Sequence, residues 1–143
     1  MKKILYCCTL SLCLLLFSGC GQKTLKCNLF NDYKGDITTD RTVIFTFKGD
    51  SLSKLNYITK ASFSEDYVSA KDSLISSISD VPYKDFNGVS TSLKNEESSF
   101  EHKLNINYSK LSDDEKKQIS IVNFEKNYEE IKNEFVQKGF TCE

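Results

Sequence analysis

Between Phe100 and Tyr108 the chain alternates without a break. Phe100, His102, Leu104, Ile106 and Tyr108 fall on one side, and Glu101, Lys103, Asn105 and Asn107 on the other. A strict period of two marks a strand with one face in a core and the other in water. Such a strand obliges the rest of the chain to supply partner strands and a cover for its apolar face.

Partners are legible on both sides. After the turn signal Asn87-Gly88, Val89, Thr91 and Leu93 alternate with Ser90 and Ser92, and Lys94 to Glu97 make a polar hairpin tip. Earlier, residues 42–47 read Thr-Val-Ile-Phe-Thr-Phe, with Val43, Phe45 and Phe47 on one face. Lys48-Gly49-Asp50-Ser51 turns this strand into a return strand from Leu52 to about Ser62. Leu25 to Phe30 reads as a first short strand, followed by the turn-rich segment 31–36.

The cover is helical. Tyr67, Ala70 with Lys71, Leu74, Ile78 and Val81 recur at three- and four-residue spacing, with Ser64 as a cap and Pro82 as a stop. Ser112-Asp113-Asp114-Glu115 has capping-box spacing and opens a short helix to about Ile119. A last helix begins near Asn123, carries Phe124, Tyr128, Ile131 and Phe135 on one stripe, and stops at Gly139. The order is β-β-β-α-β-β-α-α. It predicts an α+β domain, a mostly antiparallel sheet of about five strands covered on one face by two or three helices.

The chain ahead of this domain sets an address. Met1-Lys2-Lys3 is a positive start, and Ile4 to Phe17 is apolar almost throughout, as in a signal peptide and shorter than the roughly 20 residues needed to span a bilayer. Leu16-Phe17-Ser18-Gly19-Cys20 resembles the lipobox of bacterial lipoproteins, with Phe17 where Leu is usual. The reading is a signal peptide over 1–19, a lipidated tether over 20–24 with Cys20 acylated, and one exported domain over 25–143. Two or three acyl chains would hold such a protein on the extracytoplasmic face of the cell membrane.

With Cys7, Cys8 and Cys13 lost with the signal and Cys20 acylated, the domain keeps Cys27 and Cys142. Outside the cytoplasm such a pair can persist as a disulfide. Two free thiols and a redox pair are the alternatives, although no Cys-x-x-Cys spacing supports redox chemistry and a single histidine gives little to a zinc site. Loss of Lys2 and Lys3 takes the 19 basic residues to 17 against 20 acids, a formal charge of about −3. Arg41 is the one arginine and the lysines are scattered among acids, so nothing points to nucleic acid.

The lipobox, Leu25-Lys26-Cys27, Thr-Val-Ile-Phe-Thr-Phe-Lys-Gly-Asp over 42–50 and Lys-Gly-Phe-Thr-Cys over 138–142 together resemble small lipoproteins of Gram-positive bacteria, loosely the YehR-like group. The resemblance spans most of the exported chain. It implies the fold, the acylated Cys20 and a recurrent terminal cysteine pair at Cys27 and Cys142; it implies no catalytic residue and no cofactor.

The search for chemistry is short. His102, between Phe100 and Leu104 on the apolar face, reads as a core or core-edge imidazole, and no triad or nucleophile motif accompanies it. Asp113, Asp114 and Glu115 lack the alternating oxygens and glycine of a calcium loop and suit a helix start. Glu96-Glu97 and Glu129-Glu130 read as a hairpin tip and a solvated face, and Asn107-Tyr108-Ser109 as a chance sequon. Tyr33, Tyr57 and Tyr83 are the aromatics least tied to a core stripe. The expectation is a non-enzymatic lipoprotein, without cofactor, that binds a protein, peptide or envelope polymer. A structural or accessory subunit of an envelope complex is the alternative, and a small hydrolase ranks below both.

Overall fold

The first three strands are long because their turns allow it. In the computed structural model β1 (Gln22–Tyr33), β2 (Ile37–Lys48) and β3 (Ser51–Phe63) form consecutive antiparallel hairpins. The turn between β2 and β3 has two residues, and Gly49 takes a φ of 63° there, a left-handed conformation that costs glycine little. The structure describes residues 21–143. The signal segment expected over 1–19 and the acylated Cys20 lie outside the described residues, and no described helix is long and apolar enough to cross a membrane. The strand β1 starts earlier than Leu25: Gln22, Lys23 and Thr24 pair with Lys48, Phe47 and Thr46. Their polar side chains left only a tether signal, whereas their backbones complete the ladder.

After β3, a 3-10 turn (Glu65–Tyr67) leads into α1 (Val68–Ser79). Then come β4 (Val89–Asn95), β5 (Ser99–Asn107), a second 3-10 turn (Tyr108–Lys110), α2 (Asp113–Gln118), α3 (Tyr128–Gln137) and β6 (Thr141–Cys142). The sheet order is β4-β5-β3-β2-β1-β6, with every pairing antiparallel. The sheet has six strands rather than about five. The additional strand is two residues long, too short to show a period.

All helical cover lies on one face. Leu25, Cys27, Val43, Phe45, Leu55, Leu104 and Ile106 form the sheet side of the main core, with Ile131 and Phe135 of α3 pressed onto them. Phe135 meets Phe45 edge-on with ring centroids 4.8 Å apart, and Phe47 meets Tyr128 at 5.5 Å. Burial of such side chains contributes about 1.5–3 kcal/mol each. A bulge between β2 and β3 at Thr46/Phe47 lets Leu52 and Leu55, three residues apart, both reach this core. The uncovered face is polar, and Glu101 there lies between Lys60 at 3.3 Å and Lys103 at 2.8 Å.

Two helix boundaries depart from periodicity. The last helix starts at Tyr128, not near Asn123, because Asn127 and Glu130 form a capping box that gives the orphan backbone donors partners at that point. Phe124 still packs on the core from the irregular segment ahead. The box at Ser112 and Glu115 is present as expected. Ser64 precedes the 3-10 turn, but its side chain makes no cap bond. The helix α1 ends at Ser79, so Val81 enters the core from the following loop.

Candidate functional site

Strand register creates one row on the covered face that differs from the rest. Arg41 of β2 faces Thr59 of β3, and Thr59 faces His102 of β5. Leu29 continues the row into β1, and Leu93 continues it into β4. On one side of the row lies the main core under α3. On the other lies a second apolar cluster, Ala61, Phe63 and Phe100, covered by Val68, Ala70, Leu74, Ile75 and Ile78. Two apolar covers thus flank a polar seam.

A cleft of about 300 Å³ opens over this seam. Its floor is Arg41, Thr59 and His102 with Thr39, Tyr57 and Leu104 beside them, and Leu74, Ile78, Val81, Tyr83 and Ile121 form its walls. Its volume is at the small end of the range for ligand sites, and its mix of apolar walls with a few convergent polar groups is the usual one. Three other hollows are larger, of about 460 and 500 Å³ around Lys116–Glu125 and against the β2–β3 turn, and of about 360 Å³ beside Lys54, Asn107 and Lys110. The first two carry lysines and acids together, and the third carries Lys54 and Lys110 among mostly polar neighbours. The seam cleft instead sets one cation, with no acid among its lining residues, against a largely apolar wall.

The electrostatics of the floor follow from that composition. Among the described residues the Arg41 guanidinium has no carboxylate within ion-pair distance. Its charge offsets part of the rise that burial imposes on the Tyr57 hydroxyl pKa. His102 is 5 % exposed, and burial holds its pKa below the ordinary histidine value, so the neutral imidazole is favoured. The Thr39 hydroxyl is buried without a hydrogen-bond partner among the described residues.

The other residues singled out from sequence fall elsewhere. Cys27 and Cys142 face each other across β1 and β6 and are joined at an S–S distance of 2.03 Å. Lys26 and Glu143 exchange backbone hydrogen bonds beside them at 2.9 Å in each direction. Asp113 pairs with Lys116 at 2.8 Å, and Glu115 closes the α2 capping box. No group of three or more His, Cys, Asp or Glu side chains gathers as a metal site among the described residues. Tyr33 is exposed, whereas Tyr57 and Tyr83 line the cleft. Lys71, placed on the apolar stripe by spacing, is buried and donates from Nζ to the carbonyl oxygens of Glu96 and Glu97, tying α1 to the β4–β5 hairpin.

Sequence reasoning placed His102 on the inner face but passed over Arg41 as a site residue. Its signal was available: Arg41 shares the odd-numbered positions of β2 with Val43 and Phe45. A charge continuing an apolar face is an anomaly that a count of arginines does not reveal.

Comparison with known proteins supports the fold. The chain is similar to the NMR structure of a protein from Streptococcus pneumoniae TIGR4, with a TM-score of 0.56, 12% identity, and coverage of 86% of each chain. It is also similar to the NMR structure of the E. coli YehR protein, with a TM-score of 0.54, 16% identity, and coverage of 85% of this chain and 92% of that one. No curated protein matches the sequence. The family model described as "Protein of unknown function (DUF1307)" matches residues 30–141, and the chain therefore belongs to this YehR-like family.

Proposed function

We propose that the protein is a lipid-anchored extracytoplasmic binding module that receives a small ligand in the cleft between α1 and the sheet. It binds without turning the ligand over. The observation that carries this reading is the polar row Arg41–Thr59–His102 on the floor of a cleft otherwise walled by apolar side chains. A sheet face meant only for packing would have no use for an uncompensated guanidinium at that position, since partial burial costs solvation. Binding is favoured over hydrolysis because no carboxylate lines the cleft beside His102 to orient it.

The address rests on the sequence ahead of the domain. Only Gly21 stands between Cys20 and the start of β1, so an acylated Cys20 would hold the β2–β3 turn end of the sheet near the membrane. Leu29, in the same row as Arg41, is about 24 Å farther along β1 at the usual rise per residue. The cleft would then lie well along the strands from the tethered end of the sheet. A concave pocket also favours ligand binding over the alternative, an accessory subunit docked through a broad apolar face.

Mass spectrometry of the membrane-extracted protein under native conditions tests both parts. The expected result is a chain starting at acylated Cys20 with a non-covalent adduct that is lost in Ile78→Trp, which fills the cleft. An unlipidated chain refutes the anchor, and an adduct that survives Ile78→Trp refutes the site.

A further inference from the structure

The cleft also specifies a chemical class, and this step rests on the ligand-binding reading above. We infer that its ligand is a small organic acid, with a carboxylate on Arg41 and an apolar body against α1. One cation faces the cavity and no acid lines it, so the ligand must bring the counter-charge. The planar guanidinium fork suits the two oxygens of a carboxylate. The hydroxyl residue Thr59 is the cross-strand neighbour of Arg41, and Tyr57 is near enough to feel its charge.

The count of charges narrows the class further. His102 is held neutral by burial and adds a polar contact rather than a second cation. A phosphate monoester would bring about two negative charges to a site with one positive charge, whereas a monocarboxylate balances it. Leu74, Ile78, Val81 and Leu104 give the body of the ligand an apolar wall, where a second charged end would lose solvation without a partner. A volume of about 300 Å³ holds about ten water-sized groups. A short aliphatic or aryl acid fits that space.

The test uses the full lipidated protein in vesicles, with labelled 3-phenylpropionate and its neutral isostere 3-phenylpropionamide in equilibrium dialysis against empty vesicles. Saturable binding of the acid, about tenfold tighter than that of the amide, is expected from a charge-assisted pair. Arg41→Gln should erase the preference while leaving the circular dichroism spectrum unchanged, and Ile78→Trp should abolish binding of both. Equal binding of acid and amide, lost in Ile78→Trp, overturns the acid inference while the cleft remains the binding site. Binding that Ile78→Trp does not alter overturns the site itself. Absence of saturable acid binding up to about 10 mM overturns the inference as well.

Discussion

The bridge between Cys27 and Cys142 offers a stability prediction that can be worked from the structure. It closes a loop with a sequence separation of 115. The chain-entropy relation gives a loss of about 16 cal/mol/K for the unfolded ensemble, or about 4.8 kcal/mol at 25 °C. Domains of this size are stable by only about 5–15 kcal/mol, so the bridge would supply a large share. Cys142→Ala isolates the cross-link, because Cys27 is fully buried and remains in place as a small apolar side chain. The backbone pair between Lys26 and Glu143 does not depend on sulfur. In urea unfolding followed by circular dichroism, an m of about 2 kcal/mol per M predicts a midpoint lower by about 2.4 M. Intact mass should rise by two hydrogens on reduction of the wild type and not of the variant. A fall below about 0.5 M with unchanged m would refute the reasoning, because the chain ends would then be held together by something other than the bridge.

Three further outcomes follow from individual side chains. Burial lowers the His102 pKa in the folded protein, so the unfolded chain binds the proton more readily; stability is full above the ordinary value of 6.5 and declines as pH falls through it. Urea midpoints at pH 5.5 and 7.5 should differ in that direction, and His102→Gln should remove that part of the difference. Thr39→Val should raise stability by about 1 kcal/mol, since it deletes a buried hydroxyl without a partner; a loss of similar size in the same denaturation assay would show that the hydroxyl is bonded. Gly88 has a φ of 109°, and a Cβ there would lie 2.8 Å from the Asn107 carbonyl oxygen and 2.9 Å from Lys110 Cβ. Gly88→Ala should therefore cost about 2–3 kcal/mol, read as a lower urea midpoint, and a neutral result would mean that the turn before β4 rearranges freely.

The covered face has two kinds of ground. Under α3 it is an ordinary apolar core, with Ile131 and Phe135 buried against aromatic and aliphatic side chains. Under α1 the cover is thinner, since Lys71 is the one buried residue of that helix and its ammonium holds the hairpin carbonyls. The cleft lies where the two covers fail to meet. Its floor is rigid because it belongs to the three adjacent strands β2, β3 and β5, while α1 forms one wall. A site arranged in this way can hold its polar groups fixed while the helix adjusts to the ligand body.

Local chemistry alone determined the type of most elements. Alternation at Phe100–Tyr108, the Gly49 turn, the α1 stripe and the Ser112 capping box each act over a few residues, so each can be read from its own segment. The same holds for the apolar leader and the Ser-Gly-Cys motif that set the expected address. Tertiary structure decided what local signals cannot carry. Thr141 and Cys142 become a strand only because β1 offers them an edge, and the segment ahead of α3 remains irregular because Asn127 caps the helix later than the aromatic spacing suggested. The site is the clearest case. Arg41, Thr59 and His102 are distant in sequence and share no motif, and they meet because the β2–β3 and β3–β5 registers place them in one row. A shift of one residue in either pairing would turn one of these side chains to the opposite face, so the cleft is a property of register, which no single segment contains.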